Sequence, residues 1–474
     1  MPKKFYVTTP IFYANASPHM GHAYAIVLAD MIARFHREKG EDVYFLTGTD
    51  EHGIKNLRSS ENAGKDVIQF LDEQAEKFRA LAESLGSSHD QFIRTTDKKI
   101  HYPGATAMWE KLSTSGDIYK GEYEGLYCVG CENFKMEKDL VDGKCQDHNT
   151  EPERIRQENY FFRLSKYADC IKEAIEKGEL SVIPESRKNE ILSMLEGGLE
   201  DVSFSRPVKD LPLGIPVPGD ATQTMYVWCD ALTNYISALG YGSGDDQNLK
   251  KFWPADLHVI GKDILRFHAA LWPGMLLSAG LALPKEILVH GLIMSDGRKM
   301  SKTIGNVIDP KDYLETYGMD AFRFYLAHEI NPFEDGNFTD EKFKEAYNAY
   351  LVNGIGNLAS RIMKMASSYL LEPVRINEEI KIPGYLEAFE RHDIFSAIHA
   401  VSDFSAELDR IITEKTPFKL YKTDPEKARE IVSELVSSLA SIARAIRPIM
   451  PTSAFVIESA IKENTALPPL FPRK

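Results

Sequence analysis

Apolar residues along this chain fall into two spacings that alternate. Lys4–Ala14, KFYVTTPIFYA, is a near-continuous apolar run and predicts a buried strand. Asn15–His36, NASPHMGHAYAIVLADMIARFH, opens on turn residues and then repeats apolar positions at helical spacing, with Gly40 as its stop signal. Asp42–Gly53, DVYFLTGTDEHG, is a second apolar strand that runs into a polar loop. Residues 61–115 read as helical, with Glu61–Leu85 the clearest amphipathic stretch. From about Gly116 to about Thr224 the pattern changes to short strands, turns and cysteines. Met225–Tyr241, Leu257–Leu277 and Glu286–Gly297 then resume the buried strand and helix theme, and after Asn331–Phe343 the remainder reads as amphipathic helices. Strand, helix, strand with polar residues at the strand ends is the start of a doubly wound α/β sheet. The expected plan is an α/β domain in two pieces, 1–115 and 225–292, interrupted by an inserted module at 116–224. A connecting region at 293–345 and a helical domain at 346–474 follow.

Bulk properties narrow the class. A chain of 474 residues is too long for one ordinary core. Its 43% hydrophobic and 27% charged content describes a globular protein, and no apolar run approaches the roughly 20 residues needed to span a bilayer. The N-terminus alternates like a strand rather than a signal peptide, so a cytoplasmic enzyme with no membrane role is expected. Net charge is −14, which argues against a protein that coats nucleic acid without specificity. The region from Ala346 onward is neutral, so the acidic excess lies upstream of it.

Five cysteines do not make a disulfide framework in a chain this long, but three of them cluster. Cys128, Cys131, Cys145 and His148 form a C-x2-C knuckle and a C-x2-H knuckle. Three thiolates and one imidazole are the four-ligand tetrahedral set of a closed, structural zinc site, one per chain. Cys170 and Cys229 are expected as buried thiols.

His19 and His22 lie three residues apart where a helix should begin. They can bind a metal from one helix face, pack, or hold a phosphate at the helix N-terminus, where unpaired N–H groups favour anions. Gly21 between them permits close approach of a nucleotide. A counterpart lies in SDGRKMSKTIGNVIDP, Ser295–Pro310, where Arg298, Lys299 and Lys302 crowd a loop with Ser295, Ser301 and Thr303. That loop leaves a predicted buried strand, and open α/β sheets bind ligands at such ends. Lysines there can neutralise charge on a departing pyrophosphate.

HMGH (His19–His22) and KMSKT (Lys299–Thr303), in that order on an α/β sheet, resemble the two signatures of class I aminoacyl-tRNA synthetases. From about residue 4 to beyond residue 450 the chain is similar to the methionyl-tRNA synthetases in particular, in a form with one zinc knuckle. The matching stretches include TPIFYANASPHMGH, FLTGTDEHG, FIRTTD, DVSFSRP, YVWCDALTNYI and HVIGKDILRFH. The resemblance implies a Rossmann-like catalytic domain, a connective insertion holding the zinc knuckle at about 126–150, and a helical anticodon-binding domain. It implies activation of L-methionine by ATP, with Mg accompanying the ATP, and transfer of the methionyl group to the 3′ end of tRNA(Met).

By the same resemblance His19, Gly21, His22, Lys299, Ser301 and Lys302 contact ATP, and His19, His22, Lys299 and Lys302 carry the catalysis. The methionine pocket should comprise Ile11, Tyr13, Asp50, Trp228, Ala231, Tyr235, Ile264 and His268, with Asp50 facing the ammonium group. A thioether gains from aromatic packing and accepts hydrogen bonds weakly, which fits these residue types. Asn357 and Arg361, at i and i+4, match the anticodon-reading pair, and Phe418 stands where some members stack a tryptophan on an anticodon base. A monomer is expected, because the chain ends soon after the helical domain. Rival readings are a synthetase for another apolar or sulfur amino acid such as cysteine, an inactive zinc-knuckle RNA-binding protein, and a nucleotidyltransferase that acts on a small acid without tRNA.

Overall fold

Phe5 to Thr8 are all buried on both faces, as expected of a parallel strand with layers above and below. A computed structural model of the chain describes residues 2–129, 133–135, 140–146, 149–300, 305–376 and 379–474. β1 (Lys4–Thr8) pairs in parallel with β3 (Asp42–Asp50), Lys4 opposite Asp42 and Thr8 opposite Leu46. The apolar run Lys4–Ala14 is not one strand. It breaks at Pro10, which has no N–H to donate, and resumes as β2 (Phe12–Tyr13). β2 continues along the same side of β3, with Phe12 opposite Thr49 and Tyr13 opposite Asp50. β4 (Gln91–Arg94) runs parallel along the other side of β3, inside a stretch whose pattern predicted helix alone. Four residues between two helices are too short to show a period of two.

The sheet has seven strands, and its remaining members are Leu257–Gly261 beside β1, then Glu286–His290, then Ser181–Ile183. Phe45, Leu46, Val259, Ile260, Leu288 and Val289 place the core of this sheet. The inserted module forms an antiparallel sheet on the long pair Ile118–Cys128 and Glu153–Phe162, and a smaller three-stranded sheet follows at Ser205–Pro207, Pro216–Val217 and Asp220–Met225. Cys229 is buried as expected, but Cys170 is exposed. The helix Ala168–Glu176 turns Ile171, Ala174 and Ile175 inward, which leaves Cys170 on the opposite side.

Two compact units emerge from residue contacts. The first takes Met1–Pro18, Gly40–Glu83 and Ser88–Val289, and so holds the parallel sheet and the insertion. The second takes His19–Lys39, Ser84–Ser87 and His290–Lys474. Inside it, the helix Met20–Glu38 is tied by a fully buried ion pair. Asp30 meets Arg323 at 2.7 Å, and Arg323 donates further to the carbonyls of Leu85, Pro448 and Ile449. Phe35 stacks on Phe389 at 4.5 Å in the same unit.

Candidate active site

His19 is the N-cap of the helix Met20–Glu38, with an extended backbone at φ −138 and ψ 179. Its Nδ1 accepts the Gly21 N–H at 3.1 Å, while His22 Nδ1 accepts the N–H of His19 at 3.0 Å. The two imidazoles thus form a reciprocal capping box, their ring centres 3.9 Å apart. An Nδ1 that accepts carries no proton, so each neutral ring keeps its proton on Nε2 and presents an N–H donor there. No acidic side chain occupies the first turn, which leaves the positive helix end uncompensated by the helix itself. Gly21 has a reason beyond ligand approach: a Cβ there would meet the His19 ring at 3.1 Å and push it off the cap.

The second signature begins as a hairpin. Ile293–Ser295 pairs with Arg298–Lys299 across Asp296 and Gly297, both at positive φ (50° and 71°), a primed two-residue turn. The turn is pinned by Gly297, whose N–H donates to Asn337 Oδ1 at 2.6 Å. Lys299 and Arg298 are exposed. Ser301, Lys302 and Thr303 lie outside the described residues. Where the chain resumes, the Asn306 amide donates to the Lys299 carbonyl, and Ile308 accepts the N–H of Met20 at 3.1 Å. The segment that follows the second signature is therefore joined to the helix start by a backbone hydrogen bond next to His19.

The expected methionine residues belong to the parallel-sheet unit. Trp228, Ala231 and Tyr235 lie on the helix Val227–Ser237, and all of that helix is buried. The Tyr13 ring meets Trp228 edge-on at 6.4 Å, and Trp228 meets His268 edge-on at 6.3 Å. Trp228 Nε1 is buried with no hydrogen-bond partner among the described residues. His268 Nδ1 faces the Ile264 carbonyl at 3.0 Å and must donate to it, so its Nε2 accepts the Tyr235 hydroxyl at 2.7 Å. Burial pushes the His268 pKa down to about 4, and the ring is neutral at pH 7. Both polar groups are thus uncharged and mutually engaged, a surface suited to a thioether. Asp50 is buried at the end of β3, where its carbonyl accepts the Ala14 N–H and the Asn56 amide. Ile11 is partly buried against the apolar cluster that holds Trp228 and Tyr235.

Sequence reasoning missed several neighbours. Phe267 stacks flat on Trp228 at 3.7 Å, and only its place beside His268 in ILRFH hinted at it. Glu51, fully buried, takes a two-pronged grip from Arg94 at 2.8 and 3.0 Å. His52, His101 and Asp230 form a buried hydrogen-bonded group that no local motif announces. A cavity of about 760 Å³ opens beside these residues, lined by His52, Arg94, Lys98, Tyr102 and Leu213 among others; none of the expected methionine residues lines it.

Of the zinc set, Cys131 and His148 lie outside the described residues. Cys128 ends the strand Ile118–Cys128 and Cys145 ends the hairpin strand Lys144–Cys145; both are buried thiols outside any disulfide. Asp142 and Gly143 turn that hairpin at positive φ, and Asn149 closes back on the Cys145 carbonyl at 2.8 Å. Two reduced thiols buried at strand ends fit a soft metal's donor set. In the helical unit, Asn357 is exposed at the start of the helix Asn357–Tyr369, and Arg361 one turn on pairs with Asp409. Phe418 is 43% exposed, an unusual position for a large aromatic side chain.

A parallel sheet with polar strand ends, a helix N-terminus carrying two imidazoles, and a lysine-bearing hairpin whose following segment bonds to that helix are the parts of a class I synthetase. The family described as tRNA synthetases class I (M) matches residues 5–151 and 135–363. The methionine–tRNA ligase of Caldanaerobacter subterraneus subsp. tengcongensis is 41% identical over 96% of this chain and 73% of its own length. That of Brucella suis is 40% identical over 95% of this chain and 90% of its own. Among solved structures, Mycobacterium tuberculosis methionyl-tRNA synthetase in complex with methionyl-adenylate is 36% identical, covers 98% of both chains and superposes with a TM-score of 0.91. The chain belongs to the methionine family of class I tRNA synthetases. No helix among the described residues is long and apolar enough to cross a membrane.

Proposed function

We infer that this chain is a methionine–tRNA ligase. The observation that carries the reading is agreement along nearly the whole chain, at 40–42% identity, with relatives of that one name. In the reaction, a carboxylate oxygen of methionine attacks the α-phosphorus of ATP, the bond to the bridging oxygen breaks, and pyrophosphate leaves. The methionyl group then passes from the adenylate to the tRNA 3′ end, releasing AMP. The attacking carboxylate is already ionised at pH 7, so the chain needs positioning and charge stabilisation rather than a base.

His19 and His22 hold the phosphates through their Nε2 donors, which their capping bonds support. Lys299, Ser301 and Lys302 close on the pyrophosphate side, and Gly21 keeps the His19 ring seated. Trp228, Ala231, Tyr235, Ile264, His268, Ile11 and Tyr13 receive the methionine side chain, and Asp50 meets its ammonium group. Cys128, Cys131, Cys145 and His148 hold one structural zinc ion, and Mg accompanies ATP as its counter-ion. Asn357, Arg361 and Phe418 meet the anticodon of tRNA(Met). We place the protein in the cytoplasm as a monomer.

The test is ATP–pyrophosphate exchange without tRNA, comparing methionine with leucine, isoleucine, valine and cysteine. Exchange driven by methionine alone is expected. Preference for another amino acid would keep the class and overturn the pocket, and silence with all five would refute the reading.

A further inference from the structure

Asp230 is completely buried, and two imidazoles from distant parts of the chain share its carboxylate. His52 Nδ1 reaches one oxygen and His101 Nε2 the other, each at 2.5 Å. A carboxylate only accepts, so both rings turn an N–H toward it. Their outer nitrogens are engaged too, His101 Nδ1 with Ser237 Oγ at 2.8 Å and His52 Nε2 with the Tyr102 hydroxyl at 3.3 Å. Burial opposes ionisation of Asp230, yet the two imidazoles outweigh it and hold the carboxyl at about 2. A buried ionic group often adds little net stability over apolar packing of the same volume. What this one supplies is a fixed distance between the segments it joins.

Those segments are the two walls of the expected methionine pocket. His52 follows Asp50 by two residues at the end of β3. Asp230 sits between Trp228 and Ala231 on the helix Val227–Ser237, which also carries Tyr235 and Ser237. His101 opens a third element, the helix His101–Thr114, and is itself fully buried. Methionine carries a charged ammonium at one end and a thioether at the other, so it must be met by both walls at a set separation. A shift of one wall weakens both contacts together.

We propose that Asp230 is a positioning residue for methionine: through His52 and His101 it locks the Asp50 end of β3 to the helix bearing Trp228, Ala231 and Tyr235. The inference rests on the pocket assignment above.

The experiment is steady-state pyrophosphate exchange with Asp230→Asn and, as a control for the pocket itself, Asp50→Ala. Loss of contacts made equally in the ground and transition states raises KM and leaves kcat unchanged. Asp230→Asn is expected to raise the methionine KM at least about tenfold, with the ATP KM and kcat within about twofold. Loss through kcat with both KM values unchanged would make Asp230 a mere structural support and overturn the proposal. If Asp50→Ala raises the methionine KM and Asp230→Asn does not, only the positioning role fails. If Asp50→Ala leaves it unchanged, the pocket assignment fails and this inference with it. Should Asp230→Asn not fold, Tyr102→Phe removes one neutral hydrogen bond from His52. A rise of about threefold in methionine KM is then expected, and no rise counts against the proposal.

Discussion

At the scale of single residues, protonation state decides what the two signature histidines can do. Had either Nδ1 carried the proton, its capping bond would be lost and Nε2 would accept rather than donate. The backbone therefore selects the tautomer that suits an anion. Replacing His22 with alanine removes one donor and one half of the capping box. Loss of a donor aimed at developing charge costs about 100- to 1000-fold in kcat. His22→Ala is expected to show that loss in pyrophosphate exchange, with methionine KM little changed. A normal kcat would mean that the ring only caps the helix. The sequence showed that two histidines begin a helix; it could not show which nitrogen faces the backbone, because that depends on dihedral angles around His19.

At the scale of elements, the inserted module shows how spacing and structure divide the work. The C-x2-C and C-x2-H spacing was readable because these four candidate ligands lie close together along the chain. The hairpin Leu140–Val141 to Lys144–Cys145 turns at Asp142 and Gly143, both at positive φ. A module of short strands gains folding energy from a bound metal directly. Purified protein should hold about one zinc per chain by elemental analysis, and Cys145→Ser should lower that content and sensitise the module to proteolysis. Protein that is folded, active and zinc-free would remove the assignment. The neighbouring lesson is β4, which pairs with β3 along Leu46–Thr49 and was invisible in the pattern. A four-residue strand is recognised by its partner and not by its own period.

At the scale of the whole molecule, the two compact units do not follow the order of the chain. Met20–Glu38 belongs with residues 290–474, although it lies in the first tenth of the sequence. Arg323 in that C-terminal unit is fully buried, and its carboxylate partner Asp30 lies on this early helix. Leaving a buried charge without its partner costs about 3–5 kcal/mol, a large fraction of a domain's stability. A fragment of residues 290–474 loses Asp30 and the Phe35 stacking face together. It is expected to lack a cooperative thermal transition by circular dichroism. A sharp transition in that fragment would show that the helix is dispensable to the unit.

The sequence by itself determined whatever is encoded within a few residues. It carried the strand and helix periods of the α/β sheet, the HMGH and KMSKT signatures, and the close spacing of three cysteines and a histidine. Family resemblance extended this to an expected methionine pocket. Tertiary structure alone decided the contacts between positions far apart in the chain. His52 with Asp230, Asp30 with Arg323, and Trp228 laid flat on Phe267 and met edge-on by Tyr13 are of this kind. The physical reason is that periodicity reports only which face of an element is buried. Which partner meets that face is set by strand order and by the pairing of elements in space, and a buried polar group reveals its role only once that partner is in place.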